Sequence, residues 1–178
     1  MQKLLLTGRP RCGKSSFLQN ALAGLPLAGF AIQRLTTCEE TWAFRLLDLS
    51  AEPYLSHLET IEDQGDIAIS LASPGKWQGD TGVFEEKGCL ALEKCLDSPR
   101  IAIMDELGIF EREAHRFQQT VFRLLDSDLP VLGVLKDKHT PFLDGVRAHP
   151  AVQVLPFPSP EAAGLVRDLI NRWREREQ

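Results

Sequence analysis

Four residues carry the clearest chemistry: Gly8, Gly13, Lys14 and Ser15, within the run TGRPRCGKSSF from Thr7 to Phe17. Their spacing, G-x-x-x-x-G-K-[ST], is that of a Walker A phosphate loop (P-loop). Crowded phosphate charge needs converging donors, and a helix N-terminus supplies backbone N–H groups and a favourable dipole. Gly13 lets the backbone approach the phosphates, Lys14 reaches the terminal ones, and the Ser15 hydroxyl is a magnesium ligand. The candidate nucleotide-binding residues are therefore Gly8, Arg9, Pro10, Arg11, Cys12, Gly13, Lys14, Ser15 and Ser16. Pro10 removes one backbone donor and fixes φ. A positive φ at Arg11 would cost about 1 kcal/mol or more. Arg9 and Arg11 either clamp the γ-phosphate or lie outward on the loop, since the backbone amides do the cradling in both cases.

The second chemical feature is IAIMDELG, Ile101 to Gly108. Four apolar residues followed by Asp105 and Glu106 match a Walker B strand. In that reading Asp105 holds the magnesium and Glu106 is the general base that polarises an attacking water. Taken alone, a carboxylate pair here is equally a plain strand-to-loop transition. Beside the phosphate loop it becomes the metal and water half of one site. Lys136 ends a later apolar strand, where it either senses the γ-phosphate or is an exposed loop lysine. Phe157, after the last strand, falls near the nucleoside end, as a stacking partner or a core residue.

These residues need a scaffold of alternating strands and helices, and the pattern supplies one. KLLLTG (3–8) reads as a buried strand and KSSFLQNALAGL (14–25) as the helix after it. GFAIQRL (29–35) and WAFRLLDL (42–49) predict an antiparallel hairpin. Short strands are expected at 54–58 and 67–71, and ASPGKWQGDTG (72–82) reads as a loop. Helical patterns cover 83–96 and 111–128, and strands cover 100–108, 130–136 and 151–157. DKHTPFLDG (137–145) reads as a connecting loop. A closing helix begins at Pro160 with Ser159 as its N-cap, and its charged end RWREREQ forms a solvated face. The architecture this predicts is an α/β fold: a doubly wound, mainly parallel sheet with one antiparallel hairpin and helices on both faces.

The 178 residues fit one domain, 1–178, with 43% hydrophobic and 25% charged side chains. The net charge of −5 lacks the basic footprint of a nucleic-acid binder, and no apolar run reaches membrane-spanning length. Cys12, Cys38, Cys89 and Cys95 show no metal-site spacing, so reduced thiols in a cytoplasmic protein are expected.

LLLTGRPRCGKSSFL, LAGFAIQRL, WAFRLLDLS, IAIMDELGIFE and VLGVLKDKHTPFLDGVRAHPAVQVLPF together resemble a known family along the whole chain. It is the small nucleoside-triphosphatase family of phosphate-loop NTPases, which includes the cancer-related nucleoside-triphosphatase and its thermophile relatives. The acidic run from Asp105 to Glu111 is the more specific part of the match. The resemblance implies a RecA-like three-layer fold and Mg²⁺-dependent hydrolysis of ATP and other nucleoside triphosphates. It assigns catalysis to Lys14 and Glu106, and metal binding to Ser15 and Asp105. The chain departs from the family pattern at Arg11, Ile32, Gln33, Leu107, Ile109, Phe110 and Val134, which bears on turnover and nucleotide preference more than on binding. Two other activities fit the same motifs: phosphoryl transfer to a small molecule or nucleic-acid end, and a slow nucleotide switch that meets a partner through 72–82.

Overall fold

The computed structural model describes residues 2–97 and 100–176. The apolar runs form strands because each can bury both faces. Along β1 (Lys3–Thr7), Leu5 points into one core while Leu4 and Leu6 point into the other. The same alternation runs along β7 (Ile101–Leu107), with Ala102 and Met104 on one face and Ile101 and Ile103 on the other. α1 (Lys14–Ala21) and α6 (Pro160–Arg176) cover the second face through Leu18, Val166 and Ile170. α3 (Cys89–Leu96), α4 (His115–Asp126) and α5 (Pro141–Ala148) cover the first through Leu92, Phe117 and Leu143. The result is three layers, as the sequence predicts.

Five strands are parallel, in the order β2 (Leu27–Thr37), β7, β8 (Val131–Leu135), β1, β9 (Val152–Pro156). An antiparallel extension follows on the other edge of β2: β3 (Glu40–Asp48), β5 (Ile67–Ser73) and β6 (Lys76–Gly79). β2 is long, and its two halves do different work. Leu27–Ala31 pair with β7, while Arg34–Thr36 pair with the short parallel strand β4 (His57–Glu59). Both strands use the edge of β2 that β3 leaves free, so β4 lies in line with β7, beyond its carboxyl end. The β2–β3 hairpin thus projects past the strand ends where the phosphate loop sits.

Several boundaries differ from the sequence reading. Residues 72–82 are not a loop. Pro74 and Gly75 (φ +73°) turn the chain between Ser73 and Lys76, and β6 pairs back onto β5. Trp77 stacks edge-on against Phe44, with ring centroids 5.2 Å apart. Asp80 then caps α2 (Thr81–Val83) by accepting from the Val83 N–H, so the helical stretch starts two residues early and passes through a π turn at Phe84–Gly88 into α3. A Cβ on Gly88 would lie 2.9 Å from the Phe117 ring, so this glycine lets α4 approach closely. The stretch read as a connecting loop holds the start of α5, set by the Thr140 cap and Pro141, and the helix runs on to Ala148. α4 begins at His115 rather than Glu111, because the Glu111 side chain turns back to the Gly108 N–H. The final helix starts as expected, with Ser159 Oγ accepting from Ala162 N. Residues 177–178 of its charged end lie outside the described residues. No described helix is long and apolar enough to cross a membrane.

Candidate active site

The phosphate loop is shaped by its backbone. Gly8 has φ +146°, and a Cβ there would come within 2.3 Å of the Phe157 carbonyl oxygen, so only glycine fits. Arg11 does adopt positive φ, +58°, a left-handed conformation costing about 1–2 kcal/mol. No side chain caps α1 and its first turn holds no acid, which leaves the helix N-terminus open to an anion. Lys14 is buried, and its Nζ donates to the carbonyls of Gly8 (3.0 Å) and Arg9 (2.8 Å). The ammonium is thereby held over the loop by partners that phosphate oxygens can replace. The Cys12 sulfur lies between the Phe157 carbonyl, to which its thiol donates (3.5 Å), and Lys14 Nζ, from which it accepts (3.5 Å).

The acidic strand end meets this loop. Ser15 Oγ donates to Asp105 Oδ1 at 2.9 Å. The second oxygen of Asp105 accepts from the Tyr54 hydroxyl, so both hold the carboxylate's orientation. Burial pushes the Asp105 carboxyl up to about 6; its two hydroxyl hydrogen bonds oppose that, and the neighbouring Glu106 charge adds to it. Burial likewise raises the Tyr54 phenol well above its ordinary range, keeping it a donor. The sequence reading places Tyr54 at the start of a short strand and gives it no role in the site; it is the chain's one tyrosine. Its segment is pinned by Gln33 Nε2, which donates to Leu55 O (2.9 Å), and by Ser56 N, which donates to Gln19 Oε1 (3.2 Å).

The Asp105–Glu106 peptide is cis. Glu106 pairs with Lys136, Oε1 to Nζ 3.0 Å, and Lys136 lines the same cavity as the phosphate loop. Glu111 is buried, and both its oxygens accept from the Gly108 N–H at 3.1 Å. Burial pushes its carboxyl up to about 7, and the Glu106 charge acts in the same direction.

One cavity of about 740 Å³ joins these groups. Every predicted loop residue except Cys12 lines it, together with Asp105, Glu106, Glu111 and Lys136. Arg9 and Arg11 are exposed on its wall. Phe157 is partly buried against the apolar core and stacks on Phe17, with centroids 5.1 Å apart, which is the core alternative.

Metal chemistry can be judged from the donors. Among the described residues, no three His, Cys, Asp or Glu side chains converge as a metal cage. The Ser15 hydroxyl and the Asp105 carboxylate instead put two hard oxygen donors side by side at the head of the phosphate loop. That set fits Mg²⁺, which commonly takes one or two protein oxygens and completes its shell with phosphate and water.

Comparison with known proteins agrees with this construction. Residues 3–158 match the family model described as NTPase. The chain is 31% identical to nucleoside-triphosphatase THEP1 of Methanosarcina barkeri, over 98% of this chain and 99% of that protein. It is 25% identical to nucleoside-triphosphatase THEP1 of Thermotoga maritima, over 95% and 94%. Its fold is shared with the crystal structure of THEP1 from Aquifex aeolicus (TM-score 0.69, 20% identity, 96% of each chain). It is also shared with the solution structure of a human cancer-related nucleoside triphosphatase (TM-score 0.68, 22% identity, 98% of each chain). With its phosphate loop and acidic strand end joined in one cavity, the chain belongs to the NTPase family.

Proposed function

We propose that this protein hydrolyses ATP and other nucleoside triphosphates to diphosphate and phosphate, with Mg²⁺ as cofactor. The observation that carries the reading is the 2.9 Å contact between Ser15 Oγ and Asp105 Oδ1, which joins the loop to the acidic strand. The names of the relatives, nucleoside-triphosphatases, support the same reaction class. Lys14 exchanges its Gly8 and Arg9 carbonyl partners for oxygens of the β- and γ-phosphates. The backbone amides at the start of α1 hold the remaining phosphate charge. Ser15 and Asp105 hold the metal, and Tyr54 keeps Asp105 turned toward it. When bound, Mg²⁺ supplies positive charge against the phosphate oxygens. Glu106 Oε accepts a hydrogen bond from the attacking water and orients it, while Lys136 fixes the carboxylate. The chain works as one domain in a reducing cytoplasm, where its four cysteines stay as thiols; they are free in the structure.

Initial rates of phosphate release from ATP, GTP, CTP and UTP, with and without Mg²⁺, test this. The parent protein is expected to exceed a Glu106→Gln control by about a hundredfold. Equal rates would overturn the reading. The cavity's extension past Glu106 favours one second reading, phosphoryl transfer to a small acceptor. In that case an added acceptor consumes ATP without matching free phosphate.

A further inference from the structure

The cavity is larger than a triphosphate requires, and its surplus has a defined chemistry. The strand order places the phosphate loop after β1 and Asp105 two strands away on β7. β2 lies one strand further in the same direction. Phe157 and the end of β9 lie on the opposite side of β1. The nucleoside therefore belongs on the β9 side, and the wall past Asp105 and Glu106 is left for something else.

That wall is one row of residues in cross-strand register. Ile69 on β5 pairs with Phe44 on β3, Phe44 with Arg34 on β2, and Arg34 with His57 on β4. All four line the cavity. Ile32, two residues before Arg34 on the same face of β2, and Phe110, from the turn after β7, extend the apolar part. Trp77 braces Phe44 from the side away from Arg34. The apolar end of the row grades into a cationic one. Arg34 and Arg11 together line an adjoining recess of about 300 Å³. Among the described residues, neither guanidinium has an ion-pair partner. Glu39 and Glu59 line the same recess; the Glu59 carboxylate is engaged by the Thr36 hydroxyl and the Cys38 N–H, and no ion pair joins Glu39 to either arginine among the described residues. An unpaired arginine beside an apolar floor, in a protein of net charge −5, is suited to an oxyanion on an apolar body.

We infer that this compartment binds a second small molecule beside the triphosphate: an organic anion with a flat apolar body. Its ring lies on Ile32, Phe44 and Ile69, and its carboxylate or phosphate meets Arg34 and Arg11. The inference rests on the triphosphate reading of the phosphate loop: the phosphates take the Gly8–Ser16 end of the cavity, and the nucleoside lies outside it on the β9 side, from which no residue lines the cavity. A binding volume within the usual range of ligand sites, mostly apolar with a few convergent polar groups, is what such a ligand requires.

The experiment is saturation-transfer NMR on the full chain, loaded with Mg²⁺ and a non-hydrolysable ATP analogue. The probes are phenyl phosphate, indole-3-acetate and 4-hydroxyphenylacetate, with neutral 4-ethylphenol as the control. At least one anion is expected to bind with a Kd of about 1 mM or tighter, and 4-ethylphenol at least about tenfold more weakly. Arg34→Ala and Phe44→Ala should each weaken the anion about tenfold while leaving affinity for a fluorescent ATP analogue unchanged. Arg34→Lys serves where Arg34→Ala folds poorly; it keeps the charge, loses the planar fork, and should weaken the anion by a smaller factor. Absence of binding by all three anions would overturn the inference. So would anion binding that is untouched in these variants, or an Arg34→Ala loss confined to nucleotide affinity. Failure of the parent protein to bind the ATP analogue would instead sink the triphosphate reading on which the inference rests.

Discussion

The parallel half of the sheet and its antiparallel extension meet along β2 and serve the cavity in different ways. The parallel strands β7, β8 and β1 deliver groups at their carboxyl ends: Asp105, Glu106, Lys136 and the phosphate loop. The extension, with the far half of β2, delivers side chains from within its strands, Ile69, Phe44 and Arg34, in a row across the face. Strand ends hold backbone amides and charges that suit phosphate and metal. A sheet face holds a broad surface that suits a body of matching shape. Topology thereby divides one cavity into strand ends that carry charged groups and a sheet face that carries an apolar row ending in Arg34.

The largest expected effect sits on the parallel half. Lys14→Ala removes the ammonium poised by the Gly8 and Arg9 carbonyls. Phosphate release should fall by about 10²–10³-fold, with the melting temperature in the absence of nucleotide little changed. A Lys14→Ala protein with near-parental turnover would break the division at its stronger side.

Next comes Tyr54, which reaches the parallel half from the irregular chain before β4. Tyr54→Phe deletes the hydroxyl that holds Asp105 Oδ2 but keeps the ring. Orienting partners of this kind are worth about 10–100-fold in metal affinity or activity. The Mg²⁺ concentration needed for half-maximal phosphate release should rise by at least about tenfold. A change in stability alone, with the Mg²⁺ dependence intact, would assign Tyr54 a purely structural place.

How much of this was legible follows from the same division. Phosphate chemistry through backbone amides demands Gly, Lys and Ser at fixed spacing, so TGRPRCGKSSF announces it. IAIMDELG is legible because a strand buried on both faces ends abruptly in two acids. Tyr54 is not, since its partner lies 51 residues away and its own segment has no periodicity. The clue available was a sole tyrosine amid irregular chain. The Ile69–Phe44–Arg34–His57 row is illegible for another reason. Each residue is ordinary alone, and only strand register brings them together. The 72–82 stretch misleads because its Gly and Pro content is that of a loop, yet Pro74–Gly75 makes a two-residue hairpin turn. α5 had its start signal in Thr140–Pro141, but its eight residues are too short for a strong periodic pattern.

Glu111 gives a smaller effect, read as stability against pH. Its folded carboxyl sits at about 7, against an ordinary 4.5. The folded state therefore binds that proton more tightly than the unfolded chain does. Stability from this group is greatest at low pH, declines as pH rises from 4.5 through 7, and is lost above it. Glu111→Gln removes the titration while keeping an oxygen for the Gly108 N–H. In metal-free protein, urea unfolding should show variant-minus-parent stability rising by about 1–3 kcal/mol between about pH 5 and about pH 8. A difference that is flat with pH would place the Glu111 carboxyl in its ordinary range.

The smallest effect on turnover is expected on the extension. Trp77 braces Phe44 from β6 and is only partly buried. Trp77→Ala should cost about 1–2 kcal/mol of stability, below the range for a fully buried tryptophan. Phosphate release at saturating nucleotide should stay within about twofold of the parent, since no group that touches phosphate or metal moves. This outcome follows only if the sheet face and the strand ends act separately. β2 is the element that could couple them, because Ala31 pairs with Asp105 while Arg34 pairs with Phe44 on the same strand. If Trp77→Ala lowers turnover tenfold or more at a temperature where the protein is folded, a disturbance at Phe44 has travelled along β2 to Asp105. The two compartments would then be one mechanical unit, with the extension setting the position of the Asp105 carboxylate.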